Sequence, residues 1–324
     1  MRHVPRLSLA VMLLMTSATS VAQWASDQWD VMGTRAHVEF WEPDGERATR
    51  LIDAVHAEFD RLNALLSPWI PDSDIARINS STPAAPVTVS AECYRLLETA
   101  LGYSTLTDGA FDITFAGVGS LYDYRAGVQP DAGTVASALP KISYTSLELL
   151  PDDRVRFARD GMKVDLGGIA KGYAIDRAIQ LLRQAGIEHA WVSLGGDSYV
   201  LGDRRGRLWQ VGIRHPRDET DVAITLPAED VAISTSGDYE RYFMAGGERV
   251  HHIINPATGR PAGELASVTI IAAEGIQADA LSTSVFILGV EKGLTLVNAL
   301  DDVSAIIIDR QGNVSYSDDL LPGA

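Results

Sequence analysis

A single cysteine, Cys93, stands in a chain of 324 residues, so no internal disulfide can form and no Cys pair is available to a metal or redox centre. Positive charge is also scarce. Lys and Arg number 27 against 43 Asp and Glu, a formal net charge of −16, which argues against a nucleic-acid or anionic-membrane surface because both need a basic face. No zinc-ligand spacing occurs, and VSLGG around Ser193 lacks the glycine two residues before the serine that a hydrolase elbow requires. There is no low-complexity tract, no long linker and no clear repeat. What remains is an ordinary globular composition, 46% hydrophobic and 22% charged, able to bury a sizeable core.

The N-terminal apolar run LSLAVMLLM (8–16) is too short to span a bilayer. Arg2 and Arg6 precede it, and Ser20-Val21-Ala22 follows as a small-x-small site, so residues 1–22 are predicted to be a cleaved export signal, with a retained anchor as the alternative. No cysteine lies near the cut, so the expected product is periplasmic and not a lipoprotein. Residues 23–324 are then predicted to form one α+β catalytic domain, a single mixed α/β unit.

Periodicity supports that class. VMGTRAHVEFW (31–41) alternates as a strand does, and Leu51, Ile52, Val55, Phe59, Leu62, Leu65 and Leu66 repeat on one helical face. Ser90 is placed to cap a second helix, and TDGAFDITFAGVG (107–119) reads as a Gly-rich loop. A third helix is expected over 170–185 with Gly186 as its stop, and a fourth over 278–288. Between them fall several strand-like runs, two of which flank Ala245-Gly246-Gly247 as a hairpin.

VDLGGIAKGYAID (164–176) is the first stretch with chemistry in it. It matches neither the dinucleotide G-x-G-x-x-G nor the triphosphate loop, because Tyr173 follows Gly172 where a lysine should stand. As a helix start it could still hold an anion, since the first N–H groups are unpaired and the dipole favours negative charge. Lys171 in that first turn either meets a phosphate or pairs with Asp165 or Asp176, in which case the glycines merely allow tight packing.

QADALSTSVFILG (277–289) places Asp279 and Thr283 four residues apart, one turn from each other on a single helical face. A carboxylate with a hydroxyl is a hard-oxygen pair suited to Mg²⁺; a dipole-favoured Asp beside a buried Thr is the plainer alternative. In HHIINPATGRPA (251–262) adjacent histidines on a strand face opposite ways, so one of them can face a cleft and serve as a base. STSGDYERY (234–242) adds small hydroxyl residues that bind a ligand or simply turn the chain.

Taken in order, MGT (32–34), SPWIPDSDIARIN (67–79), DGAFDIT (108–114), DLGGIAKGYAID (165–176), SLGGD (193–197), STSGDYERY, HIINPATG (252–259) and ADALSTSVFILG (278–289) resemble the ApbE family of FAD:protein FMN transferases. The resemblance implies an enzyme that takes FAD and Mg²⁺, attaches FMN through a phosphoester to a Thr hydroxyl of an acceptor flavoprotein, and releases AMP. Carried over by motif, Asp279, Thr283 and the carbonyl of Ala170 hold the metal. Met32, Trp69, the Ala110-Phe111-Asp112 turn, Gly167, Tyr173 and Ile253 line the FAD site, and His252 is the base. The implied acceptors are subunits of sodium-pumping NADH:quinone reductase, Rnf-type complexes or nitrous-oxide-reduction regulators. A Mg²⁺-dependent FAD pyrophosphatase and a non-catalytic flavin-binding protein share the same motifs. Two positions depart from the family pattern: Asn255 stands where Asp is usual, and Trp69 where Tyr is frequent.

Overall fold

The computed structural model describes residues 23–322 apart from Glu219; the export signal expected at 1–22 lies outside the described residues. Its centre is an eight-stranded sheet whose strands neighbour one another in chain order: β1 Gln23–Val31, β2 Thr34–Glu42, β3 Ala190–Leu194, β4 Asp197–Leu201, β5 Val231–Gly237, β6 Leu265–Ala272, β7 Ser304–Asp309 and β8 Val314–Tyr316. Every neighbouring pair is antiparallel. The mixed α/β fold class expected from the sequence is the one observed.

Helices α1 Gly45–Leu66, α2 Ala91–Leu106, α3 Ala170–Gln184 and α4 Gly275–Val297 bury their apolar faces in one large core with the sheet. Asp44 caps α1 through Glu46 N and Arg47 N, and Ser90 caps α2 through Cys93 N, each satisfying helix-start donors. Val55, Phe59 and Leu62 of α1 are fully buried, each contributing roughly 1.5–3 kcal/mol by removal from water. Gly186 stops α3 in the left-handed region (φ 76°), as expected.

The last helix is longer than its expected span. Gly289 breaks its dihedrals (φ 81°, ψ −177°), and Glu264 Oε1 accepts from Val290 N at 3.2 Å, so the chain resumes helix beyond the break. Although α4 is long and apolar enough to cross a bilayer, half of its most apolar stretch is buried within the protein. The segment expected as a loop at 107–119 also differs, since 113–119 forms a short 3₁₀ turn and one turn of α-helix.

The strand period sorts side chains between the two faces of the sheet. Tyr199, Leu201 and Ala232 join the helix-side core, while Val200 and Ile233 join a smaller cluster under the hairpin Trp209–Arg214/Val222–Ala228. By the same alternation Asp197, Ser234 and Ser236 face the helices, and this is what carries polar groups into the core. A third cluster binds the 115–142 segment to the hairpin Tyr242–Ala245/Glu248–His251. The two-residue link of that hairpin, Gly246-Gly247, has both φ angles positive (60° and 84°), the conformation its glycines predict.

Candidate active site

The start of α3 lies across α4, and glycine makes the approach possible. A Cβ on Gly172 would fall 2.1 Å from the Gly275 carbonyl oxygen and 2.8 Å from Asp279 Cβ. Asp176 completes the crossing by accepting from Gly275 N at 2.6 Å and Ile276 N at 2.8 Å, placing an anion at the start of α4. A Cβ on Gly168 would lie 3.2 Å from both Thr283 Oγ1 and Phe111 Cε2, so the bare glycine leaves the threonine hydroxyl approachable. The tight packing and the open approach are therefore served by different glycines of one motif.

Lys171 does not pair with Asp165 or Asp176. Its ammonium contacts Asp197 directly and lies 3.4 Å from Asp279 Oδ1. Asp165 instead accepts from Gly167 N at 2.7 Å, and Asp176 is spent on α4. The reason is topological: the SLGGD hairpin delivers Asp197 as the first residue of β4, buried beside an ammonium whose side chain is only 24% exposed. Burial pushes the Lys171 ammonium down, but the Asp197 and Asp279 carboxylates outweigh it and hold its pKa above the usual lysine range. Burial, then the like charge of Asp197, raises the Asp279 carboxyl despite Lys171 and the Gly172 amide.

Asp279 Oδ2 also accepts from Gly172 N at 3.0 Å, so one of the helix-start amides expected to face a phosphate is taken by a side chain. Around this centre stand hydroxyls that sequence reasoning left unassigned. Ser234 Oγ donates to Asp197 Oδ1, Ser234 and Ser236 each lie 2.9 Å from Ser282 Oγ, and Ser236 Oγ lies 3.4 Å from Thr283 Oγ1. The available signal was the two-residue spacing of Ser234 and Ser236, which puts both on one strand face.

Of the two histidines, His251 faces the core, fully buried, with Nε2 2.7 Å from the Ala262 carbonyl and its ring edge-on to Phe286. His252 takes the opposite side. It is half-buried, its backbone N–H donates to Arg241 O at 3.1 Å, and its Nδ1 has no partner among the described residues. Burial, helped by the charge of Arg241, pulls its pKa down to about 3, so the ring is neutral at ordinary pH. The Arg241 guanidinium reaches Gly33 O at 3.3 Å and forms no ion pair with a carboxylate among the described residues. That contact joins the His252 strand to the Met32-Gly33 turn between β1 and β2, where Met32 takes φ 50°. Arg241, too, escaped the sequence reading.

The remaining expected positions divide. Phe111 is buried against Gly168, and Ala110 beside it is half-buried. The Asp112 carboxylate is turned inward, holding Thr114 N at 2.7 Å and Tyr144 N at 2.9 Å, so only the backbone of this turn is free to line a cleft. Tyr173 donates its hydroxyl to Glu92 at 2.7 Å, within the ion-pair network of Arg61 and Glu58. Ile253 is buried, with its carbonyl accepting from Ala262 N, while Gly167 is exposed. Trp69 is 85% exposed and stacks on no ring among the described residues. Asn255 Oδ1 accepts from Ala257 N at 2.9 Å and caps the Asn-Pro-Ala-Thr turn, a role open to an amide as to a carboxylate.

The ApbE family profile matches residues 32–307. The FAD:protein FMN transferase of Treponema pallidum is 34% identical, with 86% of this chain and 82% of that protein aligned. One from Klebsiella pneumoniae is 31% identical over 89% and 90% of the two chains. Among solved structures, the ApbE protein of Thermotoga maritima superposes with a TM-score of 0.85 at 32% identity, covering 92% of this chain and 98% of that one. The flavin transferase ApbE from Vibrio cholerae gives a TM-score of 0.82 at 26% identity, with the same coverage. With the profile spanning most of its length and relatives above 30% identity aligned over most of both chains, this chain belongs to the ApbE family.

Proposed function

We propose that this chain is a Mg²⁺-dependent FAD:protein FMN transferase that acts on a threonine of an exported flavoprotein. The observation that carries the reading is the pairing of two unlike groups. One is a neutral histidine with an unpartnered ring nitrogen; the other is a buried oxygen cluster with an excess of negative charge. Among the described residues Lys171 is the one cation in ion-pair contact with Asp197 and Asp279, so one ammonium faces two carboxyl groups. The donors are a carboxylate and a hydroxyl one turn apart, with the Ala170 carbonyl at the adjoining helix start, a hard-oxygen set that fits Mg²⁺ better than zinc. The opening left by Gly168 beside Thr283 gives a cation access. Bound there, Mg²⁺ supplies a Lewis acid to the pyrophosphate oxygens of FAD.

The chain's own groups do the rest. His252 takes the threonine proton at its unprotonated ring nitrogen as the hydroxyl oxygen attacks the FMN phosphorus. The bond from that phosphorus to the bridging oxygen breaks, and AMP leaves with the electron pair. Arg241, which forms no ion pair with a carboxylate among the described residues, would oppose negative charge on the transferred phosphate, and positioning with electrostatics is most of what such a transfer needs. The basic start, apolar run and Ala22 site at the N-terminus support export to the periplasm. There the acceptors would be flavoprotein subunits of quinone-reductase, Rnf or nitrous-oxide-regulator type.

The test incubates residues 23–324 with FAD, Mg²⁺ and an acceptor domain carrying a flavinylation threonine. In-gel flavin fluorescence on the acceptor with matching AMP is the expected result. AMP without labelled acceptor makes the chain a pyrophosphatase, and neither product makes it a binding protein.

A further inference from the structure

The buried hydroxyls between β5 and α4 form a chain whose direction can be worked out. At one end the Asp197 carboxylate accepts from Lys171 through Oδ2 and from Ser234 through Oδ1. A serine has one proton, and Ser234 spends it there. In the 2.9 Å contact between Ser234 and Ser282, the proton must then come from Ser282. In the 2.9 Å contact between Ser236 and Ser282, it must come from Ser236. Thr283, 3.4 Å from Ser236, is left as the donor of the last link. Ser282 has a second acceptor, the Asp279 carbonyl at 3.0 Å. If its proton went there, Ser234 and Ser282 would face each other with lone pairs only, at 2.9 Å and without water, which a buried polar pair cannot sustain cheaply.

We propose that Asp197 is a positioning residue for the metal site: through Ser234, Ser282 and Ser236 it holds the Thr283 proton on Ser236 and so turns the threonine lone pairs toward a hard cation. The inference rests on Asp279 and Thr283 being metal ligands, and it accounts for the buried Asp197, Ser234 and Ser282 standing beside the half-buried Lys171 and Ser236. A threonine free to rotate would spend part of its time presenting its O–H to the cation, where like charge repels. Groups that orient a metal ligand from behind are worth about 10–100-fold in metal affinity.

The test uses Mn²⁺ alone as the probe, titrated into the flavin-free protein and read by electron paramagnetic resonance. Ser236→Ala should weaken Mn²⁺ binding about 10–100-fold while shifting Tm little, and Ser236→Thr, which keeps the hydroxyl, should restore it. Asp197→Asn, whose amide can donate to Ser234 and reverse the chain, should weaken binding as much; the Ser236 pair decides alone where that variant does not fold. Parent-like affinity in Ser236→Ala, with Thr283→Ala losing the metal, overturns the relay and leaves the ligand assignment standing. Parent-like affinity in both Thr283→Ala and Asp279→Ala overturns the ligand assignment and the relay with it.

Discussion

The two halves of the site are built to different standards of completeness. Where α3 crosses α4, Lys171, Asp197, Asp279, Ser234, Ser236 and Ser282 all have protein partners, and glycine removes every side chain that would hold the helices apart. Around His252, by contrast, Nδ1 has no hydrogen-bond partner and Arg241 no ion-paired carboxylate among the described residues; Trp69, also expected to meet the flavin, stands in solvent. On the proposed function, the half that binds the metal gains from being rigid before its ligand arrives, since ordering then costs nothing at binding. The half proposed to admit FAD and an acceptor threonine cannot be closed in advance, and its unsatisfied groups are then available to substrate once side chains move.

Several substitutions would sharpen or break this contrast. The largest effect belongs to the open half. His252→Ala should lower acceptor labelling by roughly 10²–10⁴-fold, the usual contribution of a general base, with FAD affinity nearly unchanged. Normal labelling by that variant would remove His252 from the chemistry. Asp279→Ala should cost about 10²–10³-fold and abolish the response of AMP release to added Mg²⁺, because several kcal/mol of charge stabilisation goes with the cation. An unchanged Mg²⁺ titration would refute the ligand assignment.

Gly172→Ala tests the rigid half by structure instead of chemistry. Its methyl group would meet backbone at 2.1 Å, so the helices must part, and a loss of about 1–3 kcal/mol is expected by thermal or urea unfolding. A smaller effect concerns pH. The unfolded His252 titrates near 6.5 and the folded one near 3, so between those values the unfolded chain binds more protons. Stability should therefore fall as pH drops through that window, and His252→Asn should flatten part of the slope between pH 7 and pH 4.5 in urea midpoints. His251 and His37, also held below their ordinary values by burial, keep their own parts of the slope. The smallest effect is expected at Trp69. Its replacement by Ala should leave Tm within about 0.5 kcal/mol of parent stability, because the ring is exposed. If it stacks on FAD, the KM for FAD should rise by a factor equivalent to about 0.5–1.5 kcal/mol; no change in KM would exclude it from the site.

Much of this was legible in the chain. The helix faces of α1 and α3, the caps at Ser90 and Gly186 and the Gly-Gly hairpin follow from local rules, because a cap or a positive φ is decided within a few residues. The different surroundings of His251 and His252 were expected too, although the strand ends at His251 and His252 lies in the bend beyond it. The partner of Lys171 was not legible. Asp165 and Asp176 are near it in sequence, yet Asp197 and Asp279 are near it in space, and the latter lies 108 residues away.

By itself, then, the sequence determined the fold class, the main helices and the family, and it nominated the candidate groups, all of which depend on local chemistry and ordered motifs. Tertiary structure decided which charges meet. Only the packing of β4 and β5 beneath the α3–α4 crossing brings the buried Asp197 and Ser234 and the half-buried Ser236 together with Lys171, Asp279 and Ser282. A half-buried ammonium there takes the carboxylates that topology delivers, and the Ser234 proton goes to the carboxylate beside it.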